Sequence, residues 1–139
     1  MTRMRTLLVV AGLVALGPAA AGAEEQTPQV KAGAAVAGVP PGVVDGPVAR
    51  KLVESGIKVI DVRTPAEFAE GHVPGALNIP HGEMPRRAGE IGPPSTPVLL
   101  YCKSGRRSDI AANTLRAKGY KVIYDMQAYE RWVASEPQR

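Results

Sequence analysis

Between Val43 and Ala134, short apolar, β-branched runs alternate with segments of helical period, and that alternation constrains the fold more than any other feature of the chain. Val43-Val44 reads as a short strand. Asp45 or Gly46 is placed to cap a helix that carries Pro47 in its first turn, runs to about Ser55 and stops at Gly56. Ile57 to Val62 then reads as a buried strand, apolar except for Lys58 and the terminal Asp61. Thr64 followed three residues later by Glu67 is the pattern of a capping box, opening a short helix that Gly71 ends. Gly75 to Ile79 is a further short strand, His81 to about Gly92 an irregular helix interrupted by Pro85, and Pro97 to Tyr101 a strand buried on both faces. Arg106 to Lys118 places Ile110, Ala111, Thr114 and Leu115 on one helical face and stops at Gly119. Lys121 to Tyr124 is read as the last strand and Gln127 to Ala134 as the last helix, carrying Trp132. Strands that alternate with helices need crossover connections, so the expected architecture is α/β with a mostly parallel sheet covered on both sides.

The segments before this region read differently. Met1 to Arg5 carries two arginines, Leu7 to Leu16 is apolar apart from one glycine, and Ala21-Gly22-Ala23 offers the small residues of a cleavage site. Residues 1–23 are therefore expected to be a secretory signal, the mature chain beginning at Glu24. The apolar run is well short of the ~20 residues that span a bilayer, which disfavours a retained membrane anchor. Residues 24–42 are rich in Ala, Gly, Val, Pro and Gln without helical or strand period, and are expected to be a flexible linker with no fold of its own. Residues 43–136 form the expected single domain, as 139 residues leave no room for two catalytic domains. Removing 1–23 leaves 15 basic and 13 acidic groups, a balance of +2. That is too mild to argue for nucleic acid or an anionic membrane as partner. The expected location is the exported, periplasmic compartment, with no stable membrane anchor after cleavage.

Cys102 is the only thiol, which excludes an internal disulfide framework, and with two histidines the chain has little from which to build a metal cluster. Neither metal nor cofactor is expected. In open α/β sheets ligands bind at the carboxyl ends of the strands. Two such ends carry unusual chemistry here: Asp61-Val62-Arg63, and Tyr101-Cys102-Lys103-Ser104-Gly105-Arg106-Arg107-Ser108. In the second, a thiol leaves a buried strand, enters a short loop with Gly and Ser, and meets a helix amino terminus beside three cations. Loop amides, a helix dipole and positive side chains all favour anionic sulfur over thiol. The competing reading is a small buried hydrophobe, as free cysteines often are, but the residues that follow are polar, basic and flexible.

At these residues the sequence resembles the rhodanese family of sulfurtransferases. The resemblance rests on Asp61-Val62-Arg63, Glu67, Gly71-His72-Val73-Pro74-Gly75-Ala76, Asn78-Ile79-Pro80 and Tyr101-Cys102-x-x-Gly105-x-Arg107-Ser108, over about Val43 to Ala134. It is similar to the single-domain exported form, like the phage-shock periplasmic rhodaneses. The resemblance implies a three-layer α/β sandwich around a five-stranded, mostly parallel sheet. It also implies a persulfide relay, in which the Cys102 thiolate takes the sulfane sulfur of thiosulfate or a related donor and passes it to a thiophilic acceptor such as cyanide or a protein thiol. Thiosulfate is a dianion, so Lys103, Arg106 and Arg107 are candidates to balance its charge, and the loop amides from Lys103 through Ser104 and Gly105 to Arg107 are candidates to bind persulfide and leaving sulfite. By the same resemblance Asp61, Arg63, Glu67, His72 and Ser108 support the loop, with Arg63 also within conceivable reach of the pocket and Arg107 also a candidate for structural pairing. Partners are then small-molecule or thiol sulfur donors and acceptors.

Two other functions fit parts of the pattern. A persulfide carrier for a partner protein needs the same loop. Rhodanese-fold phosphatases and arsenate reductases have a loop one residue longer. A Cys-x5-Arg signature would put Arg at position 108, where this chain has Ser108. One departure from the family stands beside these: Gln127-Ala128 replaces the usual Gly-Gly before the last helix. Because Gln127 resists positive φ, a wider or differently bent turn is expected there.

Overall fold

The computed structural model describes residues 35–138. The expected signal segment and residues 24–34 of the expected linker lie outside them. Strands β1 (Gly42–Val43), β2 (Lys58–Asp61), β3 (Leu77–Asn78), β4 (Val98–Cys102) and β5 (Ile123–Ala128) form one sheet in the order β1-β5-β4-β2-β3, with every neighbouring pair parallel. Helices α1 (Gly46–Glu54), α2 (Pro65–Glu70), α3 (Met84–Arg87), α4 (Arg106–Ala117) and α5 (Tyr129–Ala134) lie between and after the strands. The fold is the expected α/β sandwich around a five-stranded parallel sheet.

Side chains alternate across β4 and so divide the interior into two layers. Val98, Leu100 and Cys102 face one core with Ile60 and Val62 of the β2 region, Met84 of α3, and Ala111 and Leu115 of α4. Leu99 and Tyr101 face the other with Leu52 of α1, Tyr124 and Met126 of β5, and Trp132 of α5. All five residues of β4 are buried, as befits the central strand of a sheet covered on both faces. Each large apolar side chain withdrawn from water this way contributes ~1.5–3 kcal/mol, so the two layers together hold β4, and hence Cys102, in place.

The helix starts are those the capping residues dictate. Asp45 Oδ1 accepts the Val48 N–H at 3.0 Å and opens α1. At α2 the box is complete: Thr64 Oγ1 accepts the Glu67 N–H at 3.3 Å, and Glu67 Oε2 accepts the Thr64 N–H at 2.9 Å. Caps of this kind are worth about 1 kcal/mol each, and α2 depends on its own because none of its residues is buried.

Four expectations are corrected by the structure. The 81–92 segment is not one broken helix but α3 flanked by two 3-10 turns, and Pro85 lies in the first turn of α3, where a missing N–H costs nothing. The third strand shrinks to Leu77–Asn78. The last strand runs on to Ala128 and the last helix begins only at Tyr129. Finally, the end of the expected linker is docked: Val36 is buried, its N–H donates to the Tyr124 hydroxyl at 2.8 Å, and that hydroxyl donates to the Val39 carbonyl at 2.6 Å. A buried tyrosine needs a partner for its O–H, and this strap supplies one.

Candidate active site

The site begins where β4 ends. Cys102 is fully buried among the α4-side core residues, so in position it matches the competing reading of a core thiol. Its hydrogen bonding does not. The Gly105 N–H donates to Sγ at 2.9 Å, which an inert core sulfur does not need. Gly105 reaches that geometry with φ +103, a left-handed conformation natural to glycine, and it caps α4 without any side chain. The twelve-residue α4 therefore begins directly after the amide that meets the sulfur, with the positive end of its dipole at that end. Ser108 in the first turn is buried; its Oγ donates to the Gly105 carbonyl at 2.9 Å and lies 3.7 Å from Sγ.

The three loop cations separate into two kinds. Lys103 and Arg106 are exposed and, among the described residues, form no ion pair. Arg107, a candidate both for charge compensation and for structural pairing, forms the pairing: its Nη1 and Nη2 donate to the two oxygens of Glu67 at 2.7 and 2.9 Å, joining α4 to α2. That fork, followed by the Thr64 N–H, pulls the Glu67 carboxyl down to about 2. Ser104 is exposed beside them, and with Lys103 it leaves the loop's outer side open to solvent.

The β2 end faces the opposite core layer and is built from paired groups. Asp61 is fully buried and takes the Arg63 guanidinium at 3.0 Å from Nε and 2.6 Å from Nη2, together with the Arg63 backbone N–H at 2.9 Å. Arg63 Nη2 also donates to the Gly71 carbonyl at 2.6 Å. Burial opposes the Arg63 charge, but the hydrogen bonds and charge of Asp61 outweigh it and hold the guanidinium more firmly protonated. The same guanidinium carbon sits 4.5 Å from the Tyr129 ring centre and 5.4 Å from that of Tyr101. Nε and Nη2 are thus committed to Asp61 and the Gly71 carbonyl. The Val73 N–H donates to the Tyr101 hydroxyl at 3.0 Å, and burial pushes that phenol well above its ordinary range. His72 stacks on Phe68 and brings Nδ1 to 2.9 Å from the Phe68 carbonyl, which requires that nitrogen to carry the proton.

Three contributors have no role assigned to them from the sequence. Asn78 Nδ2 donates to the carbonyls of Asp61 and Arg63, each at 3.0 Å, and so fixes the β2 end from β3. Tyr129 stacks on Tyr101 with ring centres 5.6 Å apart. Asp125 is buried in β5, where burial raises its carboxyl and the Ser108 hydroxyl and the Gln127 N–H draw it back. An acidic residue inside an otherwise apolar run was the one available signal for it.

Asp125 also explains the last correction. The β4–β5 register passes from Leu100 opposite Asp125 to Tyr101 opposite Gln127, so Met126 is an extra residue in a bulge. Gln127 does not resist the left-handed region there; it adopts φ +69, and its N–H donates to Asp125 Oδ1 at 2.7 Å.

Comparison with known proteins agrees with this arrangement. Residues 47–135 match the family described as Rhodanese-like domain, well over half of the chain. The chain is 43% identical over 76 residues to the uncharacterized protein YqhL of Bacillus subtilis, covering 54% of this chain and 60% of that one. It is 39% identical over 71 residues to a sulfurtransferase of Allochromatium vinosum, covering 51% and 65%. It thus spans less than two thirds of the length of these curated relatives. Among solved structures it is similar to the human single-domain sulfurtransferase TSTD1, with TM-score 0.58 and 30% identity over 72% of this chain and all of that one.

Proposed function

Since this chain belongs to the family of rhodanese-like domains, we propose that it is a sulfurtransferase that moves sulfane sulfur from thiosulfate through a persulfide on Cys102. The observation that carries the reading is the Gly105 N–H on the sulfur at 2.9 Å, at the amino end of α4. A donor in that position stabilises anionic sulfur, and needs no general base once the thiolate is formed. The thiolate attacks the outer sulfur of thiosulfate; the Cys102–sulfur bond forms, the sulfur–sulfur bond of thiosulfate breaks, and sulfite leaves with the electron pair. One negative charge then resides on the terminal persulfide sulfur, within reach of the same cradle of amides. Attack by cyanide on that terminal sulfur gives thiocyanate and regenerates the thiolate.

Lys103 and Arg106, the two unpaired cations among the described loop residues, supply charge compensation for the dianion, while Arg107 and Glu67 fix the frame. A phosphatase reading gains nothing from the geometry, because position 108 holds a buried serine bonded to the Gly105 carbonyl. Export is part of the same reading: residues 1–23 carry the pattern of a cleaved signal, and the domain would act in the periplasm.

Thiocyanate formation from thiosulfate and cyanide by the wild-type chain and by Cys102→Ser tests the reading. Activity is expected in the first and none in the second. Equal rates in both would remove Cys102 as nucleophile, whereas stoichiometric loading with sulfur but no turnover on cyanide would favour a carrier that hands its sulfur to a partner protein.

A further inference from the structure

The sulfur is buried, so a donor must reach it past whatever borders the loop. Gln127 borders it. A methyl group added at Gly105 would meet the Cβ, Cγ and Cδ of Gln127 at 3.1, 3.6 and 3.7 Å, so the Gln127 side chain lies along the residue whose N–H donates to the sulfur. In the sheet, Gln127 stands opposite Tyr101 and Ala128 opposite Cys102. Gln127 is half-buried. It holds this place at a cost, since φ +69 in a residue with a Cβ is strained, and a buried carboxylate on its N–H is what retains it.

We propose that Gln127 is a specificity-determining residue at the mouth of the sulfur loop, narrowing the approach to Cys102 and favouring slender, oxygen-bearing sulfur donors over bulky aromatic ones. Its side chain takes up room beside Gly105, and its carboxamide offers a neutral donor to a sulfonate oxygen. Both effects act on the same face, and both disappear in Gln127→Gly. The proposal rests on the sulfur-transfer reading where donors are concerned, but the access it describes is a property of the fold alone.

The test compares two ratios in wild type and Gln127→Gly. Glycine accepts the left-handed conformation without strain, so this variant is expected to fold with a Tm at least equal to that of wild type. The first ratio is kcat/KM for benzenethiosulfonate over kcat/KM for thiosulfate; in both reactions thiolate attack expels sulfinate or sulfite and leaves the same persulfide. The second is the rate of Cys102 alkylation by N-phenylmaleimide over that by iodoacetamide. Each ratio is expected to rise about tenfold in Gln127→Gly, the scale on which a pocket discriminates by shape. Unchanged ratios in a variant that still loads sulfur would overturn the proposal and leave sulfur transfer standing. Failure of wild type to take sulfur from either donor would instead overturn sulfur transfer, and the alkylation ratio would still decide the role of Gln127.

Discussion

The ends of β2 and β4 lie side by side in the sheet, yet they are built on opposite principles. At the β2 end, a fully buried carboxylate meets a nearly buried guanidinium, and every donor named there has a protein acceptor: Asp61, Gly71 or a neighbouring carbonyl. At the β4 end, one sulfur accepts one backbone N–H while two cations remain unpaired among the described residues. The first arrangement closes on itself and can only hold the chain. The second leaves those two cations uncommitted in the loop that follows the sulfur, and the proposed sulfur transfer draws on them. The Arg107–Glu67 fork is the seam between them, since Glu67 belongs to the helix that follows β2 and Arg107 to the helix that follows β4.

Breaking each end separately tests that contrast. Asp61→Ala strands a buried guanidinium and is expected to cost ~3–5 kcal/mol in urea unfolding, enough to threaten the fold. Cys102→Ser should cost only about 1 kcal/mol while abolishing sulfur loading. If the two costs were reversed, the β4 end would be the structural one. Next in size is the seam. Glu67→Gln loses the charged fork to a residue whose side chain is a quarter exposed, and ~1–2 kcal/mol is expected. Because the folded-state carboxyl titrates at about 2, below its ordinary 4.5, the wild-type contribution is complete above about 4.5 and is lost as pH falls from there toward 2. Unfolding midpoints stepped through that window should fall more steeply in wild type than in Glu67→Gln; parallel curves would mean that the ion pair adds nothing.

The smallest effect has the opposite sign. Burial raises the Asp125 carboxyl, so its ionisation opposes folding above the ordinary carboxylate range, and protonation as pH falls restores stability. Asp125→Asn keeps an oxygen for the Gln127 N–H and removes the charge. It should therefore flatten this gain on mild acidification and raise the thermal midpoint slightly at neutral pH, where the wild-type penalty is fully present. A pH–stability curve identical to wild type would show Asp125 to be ionised without penalty.

Local chemistry was legible in the sequence and long-range closure was not. Thr64 and Glu67 announced α2, Pro47 and Gly56 bracketed α1, and the Cys102-to-Ser108 run gave the loop, because each depends on residues a few positions apart. The Asp61–Arg63 pair was also local. By contrast, Arg107 finds Glu67 across forty residues, and nothing in the sequence spacing separates it from Arg106, its free neighbour. The β5 bulge escaped for a related reason: the left-handed Gln127 is paid for by Asp125, and only the sheet register puts that carboxylate under its N–H. The docked end of the linker depends on Tyr124, eighty-eight positions from Val36. Composition marked that stretch as loose, and one buried hydroxyl in need of partners was enough to fasten it.

The central claim is that the Gly105 amide and the start of α4 at the β4 end let Cys102 receive a sulfur atom and release it. Intact mass of the purified chain, before and after thiosulfate and again after cyanide, tests this with no assumption about rates. The mass is expected to rise by one sulfur atom, return to its starting value, and stay fixed throughout in Cys102→Ser. A wild-type mass unmoved by thiosulfate would contradict the account.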